Sequence, residues 1–354
     1  ISLDARRARA ARREAPLSMD SKLRGWLILS RGSNLPTVWS NVIAGWLLAQ
    51  GLRLPPIGTE YWKQPPDSLA WGSLMLLLLG VSLTYVGGMI LNDAFDARWD
   101  AERRSTRPIP AGLITARDAL RAGWGALAAG FVLTVFAAPS GTRLAVTIVA
   151  LLLALCVIVY DRWHKGVSWA PAVMGLCRAL LPAIGFLVVG ESIFFPPVAD
   201  SDWIIFAHMF ALWLLTYAIT LVARHEATGG NAGRWVEGLL FIAPLPLLWA
   251  VGLFWPWVVL WFAVYVWWLV RSNRRHPLPG GVGARVADRL ASMPLIDAMT
   301  NGYLAFICLS VLLRPKGVHP EALFDAACLL FLALGLAAFA MRLVLSWRKQ
   351  IPST

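Results

Sequence analysis

The 354 residues are 58% hydrophobic and only 15% charged, with a mean hydropathy of +0.62. So little polar surface excludes a soluble globule and points to an all-α integral membrane protein, a multi-span transmembrane helical bundle. The formal net charge of +12 does not indicate a nucleic-acid partner. The Lys and Arg residues are grouped in short loops between apolar runs, which is the positive-inside pattern of membrane topology.

The chain opens with the Arg/Ala-rich stretch "ISLDARRARAARREAPLS", which has no apolar core and so is not a secretory signal. Residues 1–33 are expected to be a disordered basic tail. Ten apolar runs follow, at 34–51, 69–92, 118–138, 143–160, 167–190, 203–223, 235–252, 254–270, 291–313 and 323–345. Most approach the roughly 20 residues that a helix needs to cross the hydrocarbon core. Only Gly252 and Leu253 separate 235–252 from 254–270, so those two runs form either a tight hairpin or one re-entrant element. The expectation is a membrane domain over 34–345 with nine or ten helices, and a short tail over 346–354.

If the N-terminus is cytoplasmic, the opposite loops hold only Arg53, Lys63, Arg143, Arg314 and Lys316, with Arg178 deep inside a span. That asymmetry places both tails, and the loop after the second run, on the cytoplasmic side of a bacterial inner membrane. Cys156, Cys177, Cys308 and Cys328 all sit within apolar runs and lack metal-ligand spacing, so they read as small core residues.

The second run ends in "LNDAFDARWDAERRSTRPIPAG", Leu91 to Gly112. Asn92, Asp96 and Asp100 recur every fourth residue and Asp93 precedes Asp96 by three, so a helix continuing out of the membrane stacks all four on one face. An arbitrary acidic cluster is more often a solvated or salt-bridged loop, and Arg98, Arg103 and Arg104 offer partners for that. Here hard oxygen ligands alternate with guanidinium groups, a combination suited to Mg²⁺ and a phosphate-bearing ligand.

"NDAFDARWD" followed by "RRSTRPIPAG" resembles the first signature of the UbiA family of intramembrane prenyltransferases, and "YDRWHKG" after the fourth run is similar to that family's Tyr-containing basic loop. The resemblance implies a helical bundle that binds an isoprenyl diphosphate donor through Mg²⁺, ionises it, and passes the prenyl group to a lipophilic, aromatic acceptor. On that basis Asp93, Asp96 and Asp100 hold Mg²⁺ and Asn92 orients them. Arg104, Arg107, Tyr160, Arg162 and Lys165 hold the diphosphate, and Tyr85 and Tyr217 face the allylic cation. Asn41, in "WSNVIAG", resembles a polar site on the family's first helix.

One departure stands out. Where the family carries a second aspartate-rich motif after the sixth span, this chain has "LVARHEATGGNAGR", with Glu226 as its sole carboxylate. Glu226 is the candidate remaining metal ligand and Arg224 a candidate phosphate clamp. A non-catalytic relative that binds or moves a prenylated precursor is therefore the alternative to an enzyme. Asn41, Arg178 and Asp297 are polar groups inside spans and are expected to face the bundle interior. "HPLPGGVGARVADR", 276–289, reads as a flexible basic connection among lipid headgroups.

Overall fold

The computed structural model describes residues 19–53, 71–190, 200–226, 233–251, 255–276, 282–315 and 318–350, and among them every regular element is helical. In chain order these are α1 (Met19–Ser30), α2 (Leu35–Arg53), α3 (Trp71–Phe95), α4 (Ala97–Arg103), α5 (Ala116–Ala137), α6 (Arg143–Trp163), α7 (Ala170–Val188) and α8 (Asp200–Glu226). After them come α9 (Gly233–Ile242), α10 (Leu245–Ala250), α11 (Trp255–Arg275), α12 (Val282–Ala291), α13 (Met293–Thr300), α14 (Gly302–Leu313) and α15 (Pro320–Gln350).

Each of the ten apolar runs becomes a helix or a broken pair of helices. Among the described residues, α3, α5, α6, α7 and most of α8 are long and apolar enough to cross a membrane, and a bent pair makes a sixth. That pair, Gly283–Thr300 with Leu304–Leu313, turns through 57°, and Asn301 at the break donates to the Asp297 carbonyl at 2.9 Å. The run 235–252 divides at Ala243–Pro244, because the proline cannot donate to a continuing helix. Gly252 and Leu253 themselves lie outside the described residues.

The first half of the bundle is held by small residues, as expected where lipid offers no hydrophobic drive for helices to associate. Helix α3 meets α5 through Gly80, Thr84 and Gly87 against Gly123, Gly130 and Thr134; a Cβ at Gly87 would stand 2.7 Å from the Leu127 nitrogen. Helix α2 crosses α7 as closely, since a Cβ at Gly45 would run into the Pro182 backbone and one at Gly185 into the Val42 carbonyl. The α3–α5 crossing holds α3 in place and thereby aims its acidic end.

Helix α2 is buried on nearly every side and carries polar residues inward. Ser40 Oγ and Asn41 Nδ2 donate to the Asp297 carboxylate of α13 at 2.6 and 2.9 Å, and His208 Nε2 of α8 lies 2.9 Å from its other oxygen. Asn41 Oδ1 in turn accepts from Arg178 Nη1 at 3.4 Å. The polar residues inside spans thus pair with one another, which ties α2, α7, α8 and α13 together.

Residues 19–30, read from sequence as part of a disordered tail, are helical. Leu29 is fully buried in a cluster with Ile90, Ala94, Ile114 and Ala119, and Trp26 packs against it. Burial of this apolar face orders the segment despite its charges. Residues 1–18 lie outside the described set. From the α2–α7 crossing we expect Gly45→Val to lower stability by about 3 kcal/mol, the upper range for overpacking a tight contact. Thermal unfolding in detergent measures it, and an unchanged midpoint would show that the crossing has slack.

Candidate active site

The acidic site grows directly out of α3. The helix ends at Phe95, and Asp96 begins the single turn into α4. The backbone bonds stay in register, with the Asp96 amide donating to the Asn92 carbonyl at 3.0 Å and the Asp100 amide to Asp96 at 2.9 Å. The four-residue spacing therefore places Asn92, Asp96 and Asp100 on one side, as the sequence predicts.

Each carboxylate is met by cations from elsewhere in the chain. Arg107, buried in the loop after α4, donates Nη1 to Asp93 Oδ1 at 3.1 Å and to Asp100 Oδ2 at 2.8 Å. Arg31 Nη2 reaches the same Asp93 oxygen at 2.8 Å. Lys165 Nζ sits 2.6 Å from Asp96 Oδ1, and His164 Nε2 is 3.6 Å from the other oxygen. Burial pushes the His164 imidazole below its ordinary range, with Asp96 opposing that and Lys165 adding to it. Lys165 is therefore the cation that serves Asp96 near neutrality.

Arg31 was not singled out from the sequence. It stands between α1 and α2 in a left-handed conformation, φ 44° and ψ 39°, unusual for a residue with a side chain. Its carbonyl accepts from the Tyr85 hydroxyl at 3.4 Å while its guanidinium binds Asp93. Burial alone would lower its pKa, but Asp93 together with Tyr85 and Tyr160 outweighs this and raises it, so the cation is firmly charged. Asp161 follows Tyr160 in the basic loop. It is buried at the end of α6 and accepts from Asn92 Nδ2 at 3.1 Å.

Two spaces adjoin these groups. An apolar cavity lies between α2, α3, α6 and α7, bounded by Val81, Tyr85, Met89, Val157, Tyr160 and Arg178 among others. A polar cleft at the membrane end is lined by Asp96, Trp99, Asp161, Arg162, His164 and Lys165. Tyr85 and Tyr160 thus face the cavity, and Arg162 and Lys165 the cleft. Trp99 is flanked by cations, with Lys165 Nζ 4.2 Å and Arg103 Cζ 4.7 Å from its ring centre.

Other candidates lie apart. Arg104 is exposed, 5.7 Å from the Trp99 ring centre. Asn41 is wholly buried in the Asp297 network. Tyr217 stacks on Trp213 at 5.5 Å and packs into the core around α8. Arg224 donates to the carbonyls of His164 at 3.3 Å and Val167 at 2.6 Å, so it braces the basic loop from behind. The Glu226 side chain lies outside the described residues.

Among the described residues, no three His, Cys, Asp or Glu side chains converge closely enough to enclose a metal ion. Mg²⁺ does not require such a cage, because it keeps several waters and commonly takes one or two carboxylates plus phosphate oxygens. Buried Asp100 Oδ1 has no hydrogen-bond partner and is a hard oxygen donor of the right kind. The residues present fit the ion in that shared mode.

An apolar cavity and a polar, cation-lined cleft thus meet at Asp161 within a bundle of membrane-length helices. The chain belongs to the UbiA prenyltransferase family, whose model matches residues 54–279. It is 26% identical over 267 residues to a 4-hydroxybenzoate octaprenyltransferase of Aliivibrio salmonicida, covering 69% of this chain and 84% of that one. It is 25% identical over 252 residues to a digeranylgeranylglyceryl phosphate synthase of Metallosphaera sedula, covering 70% and 78%. The fold matches a UbiA homologue from Aeropyrum pernix with a TM-score of 0.50 at 17% identity, over 76% of this chain and 97% of that one.

The bracing role of Arg224 is directly measurable. Its loss removes two charge-assisted bonds to the 164–167 loop, so Arg224→Ala is expected to raise amide hydrogen exchange across 164–169 by about tenfold or more. Unchanged exchange there would show that the loop holds itself.

Proposed function

We propose that this prenyltransferase transfers an isoprenyl group from a polyprenyl diphosphate to an aromatic or other lipophilic acceptor, with Mg²⁺ and through an allylic carbocation. The observation that carries the reading is the seating of Asp93, Asp96 and Asp100 among Arg31, Arg107 and Lys165, one helical turn beyond the wall that Gly88 and Met89 give an apolar cavity. One relative named above is by name a 4-hydroxybenzoate octaprenyltransferase and another a digeranylgeranylglyceryl phosphate synthase, which supports an aromatic or other lipophilic acceptor whose identity is a matter for assay. Orientation with the acidic cleft toward the cytoplasm of a bacterial inner membrane belongs to the same proposal, supported by the loop charges.

The chemistry follows from the residues. Asp93, Asp96 and Asp100 would hold Mg²⁺, which supplies charge neutralisation to a departing diphosphate. Arg31, Arg107 and Lys165 stand within reach of the same carboxylates and can turn to phosphate oxygens, where fixed cations stabilise the charge that develops as the C–O bond breaks. The prenyl tail lies in the apolar cavity. Tyr85 and Tyr160 present aromatic faces along it that favour an allylic cation, and the surrounding side chains exclude water. Arg224 acts at one remove by holding the loop that carries Lys165.

Asp96 is the aspartate whose removal disturbs the fold least, because its partner Lys165 reaches water. Asp96→Ala is expected to leave the melting temperature nearly unchanged and to lower Mg²⁺-dependent diphosphate release from labelled farnesyl diphosphate by about 10³-fold, the several kcal/mol that a metal contact supplies. Near-normal release in this variant would remove the metal role of the motif. A wild-type protein that binds the diphosphate and never releases it would favour the carrier reading.

A further inference from the structure

Prenyl transfer leaves a proton to be disposed of. When the acceptor's oxygen or ring carbon bonds to the prenyl carbon, the electron pair of the broken C–O bond leaves with diphosphate, and the acceptor must give up a hydrogen as H⁺. The carboxylates of the first motif are poorly placed to take it, since Asp93, Asp96 and Asp100 are each bound to Arg or Lys. A carboxylate neutralised by a cation or metal is a weak base.

Asp161 differs from them in three respects. Its nearest partner is an amide, Asn92 Nδ2, which occupies Oδ1 and leaves Oδ2 buried without a hydrogen bond. That oxygen is turned toward α3, where a Cβ on Gly88 would lie 3.8 Å from it, and Gly88 is part of the cavity wall. Asp161 also lines both the apolar cavity and the polar cleft, so it stands where the two meet.

We infer that Asp161 is the proton acceptor for the transfer step, taking H⁺ from a phenol-like acceptor on Oδ2 while Asn92 holds the carboxylate in place through Oδ1. The bond that forms is prenyl carbon to acceptor, the bonds that break are prenyl C–O and acceptor O–H or ring C–H, and the proton passes from Oδ2 to the water-accessible cleft. Asn92 is then a positioning residue. The inference rests on the prenyl-transfer reading above and assigns a role within it to a residue outside the acidic motif.

A general base acts on transfer and not on ionisation of the donor, so the two half-reactions separate it from a metal ligand or a structural group. Purified protein with Mg²⁺ and farnesyl diphosphate is assayed for diphosphate release without acceptor, and for prenylation of 4-hydroxybenzoate. Asp161→Asn is expected to cut prenylation about 100-fold, the low end of general-base contributions, while acceptor-free release falls less than about threefold and affinity for farnesyl thiolodiphosphate holds. Equal loss of both activities would place Asp161 with the donor and overturn the inference, as would equal retention. Wild-type protein that releases diphosphate yet prenylates no phenol would also overturn it, whereas wild-type protein that releases none contradicts the donor chemistry itself. If Asp161→Asn does not fold, the isosteric pair Asp161→Glu and Asp161→Gln gives the same comparison. The Glu variant should outperform the Gln variant at least tenfold in prenylation alone.

Discussion

Everything at the active end of this protein depends on making buried carboxylates tolerable. Asp93 is 5% exposed, Asp96 9%, Asp100 1% and Asp161 3%. Charges so poorly hydrated are costly unless each is compensated. For the first three the compensation is a cation, Arg31 from the junction of α1 and α2, Arg107 from the loop after α4 and Lys165 from the loop after α6, whereas Asp161 has the Asn92 amide. Helix α1, the α3–α5 crossing and the loop braced by Arg224 are thus all in service of one electrostatic arrangement. On the proposed reading the same arrangement would serve a diphosphate and a divalent ion, because cations that balance carboxylates can be shared with phosphate oxygens once a metal takes the carboxylates.

The separation of charge from apolar volume is the second feature that makes the chemistry possible. The acidic groups gather at the end of α3, while the cavity beside Tyr85, Tyr160 and Arg178 is walled largely by aliphatic side chains. A diphosphate head and an isoprenyl tail need these two environments side by side. Deeper in the bundle, Asp297 and its partners Ser40, Asn41 and His208 form a second polar cluster, fully enclosed. Its contact with Arg178 through Asn41 gives it a link to the cavity wall.

The fold class was legible because apolar runs of membrane length are a strong signal, and the helices follow them almost run for run. The register of Asn92, Asp93, Asp96 and Asp100 was legible for the same reason, since one helical period carries from α3 into α4. Arg31 was not, because a lone arginine in "SRGSN" looks like any loop cation until the chain folds back 62 residues in sequence to Asp93. Asp161 was hidden among basic neighbours that suggest an exposed ion pair, whereas it points inward to Asn92. Asn41 and Tyr217 have partners that the sequence does not show. Polar and aromatic residues at helical spacing invite a functional reading, and here Asn41 satisfies Asp297 while Tyr217 stacks on Trp213. Arg224 was recognised as important and misplaced by one step, since it grips backbone carbonyls of the basic loop.

The central claim is that one charge-balanced cluster binds both the divalent ion and the diphosphate, with the prenyl chain in the adjoining cavity. The most direct measurement is a structure of the full-length protein with farnesyl thiolodiphosphate and Mn²⁺ in place of Mg²⁺, located by its anomalous signal. The account predicts the metal peak on the carboxylates of Asp93, Asp96 or Asp100, phosphate oxygens on Arg31, Arg107 or Lys165, and the farnesyl chain running past Tyr85 and Tyr160. A metal peak confined to the loop after α8, or a prenyl chain lying outside the cavity between α3, α6 and α7, would contradict it.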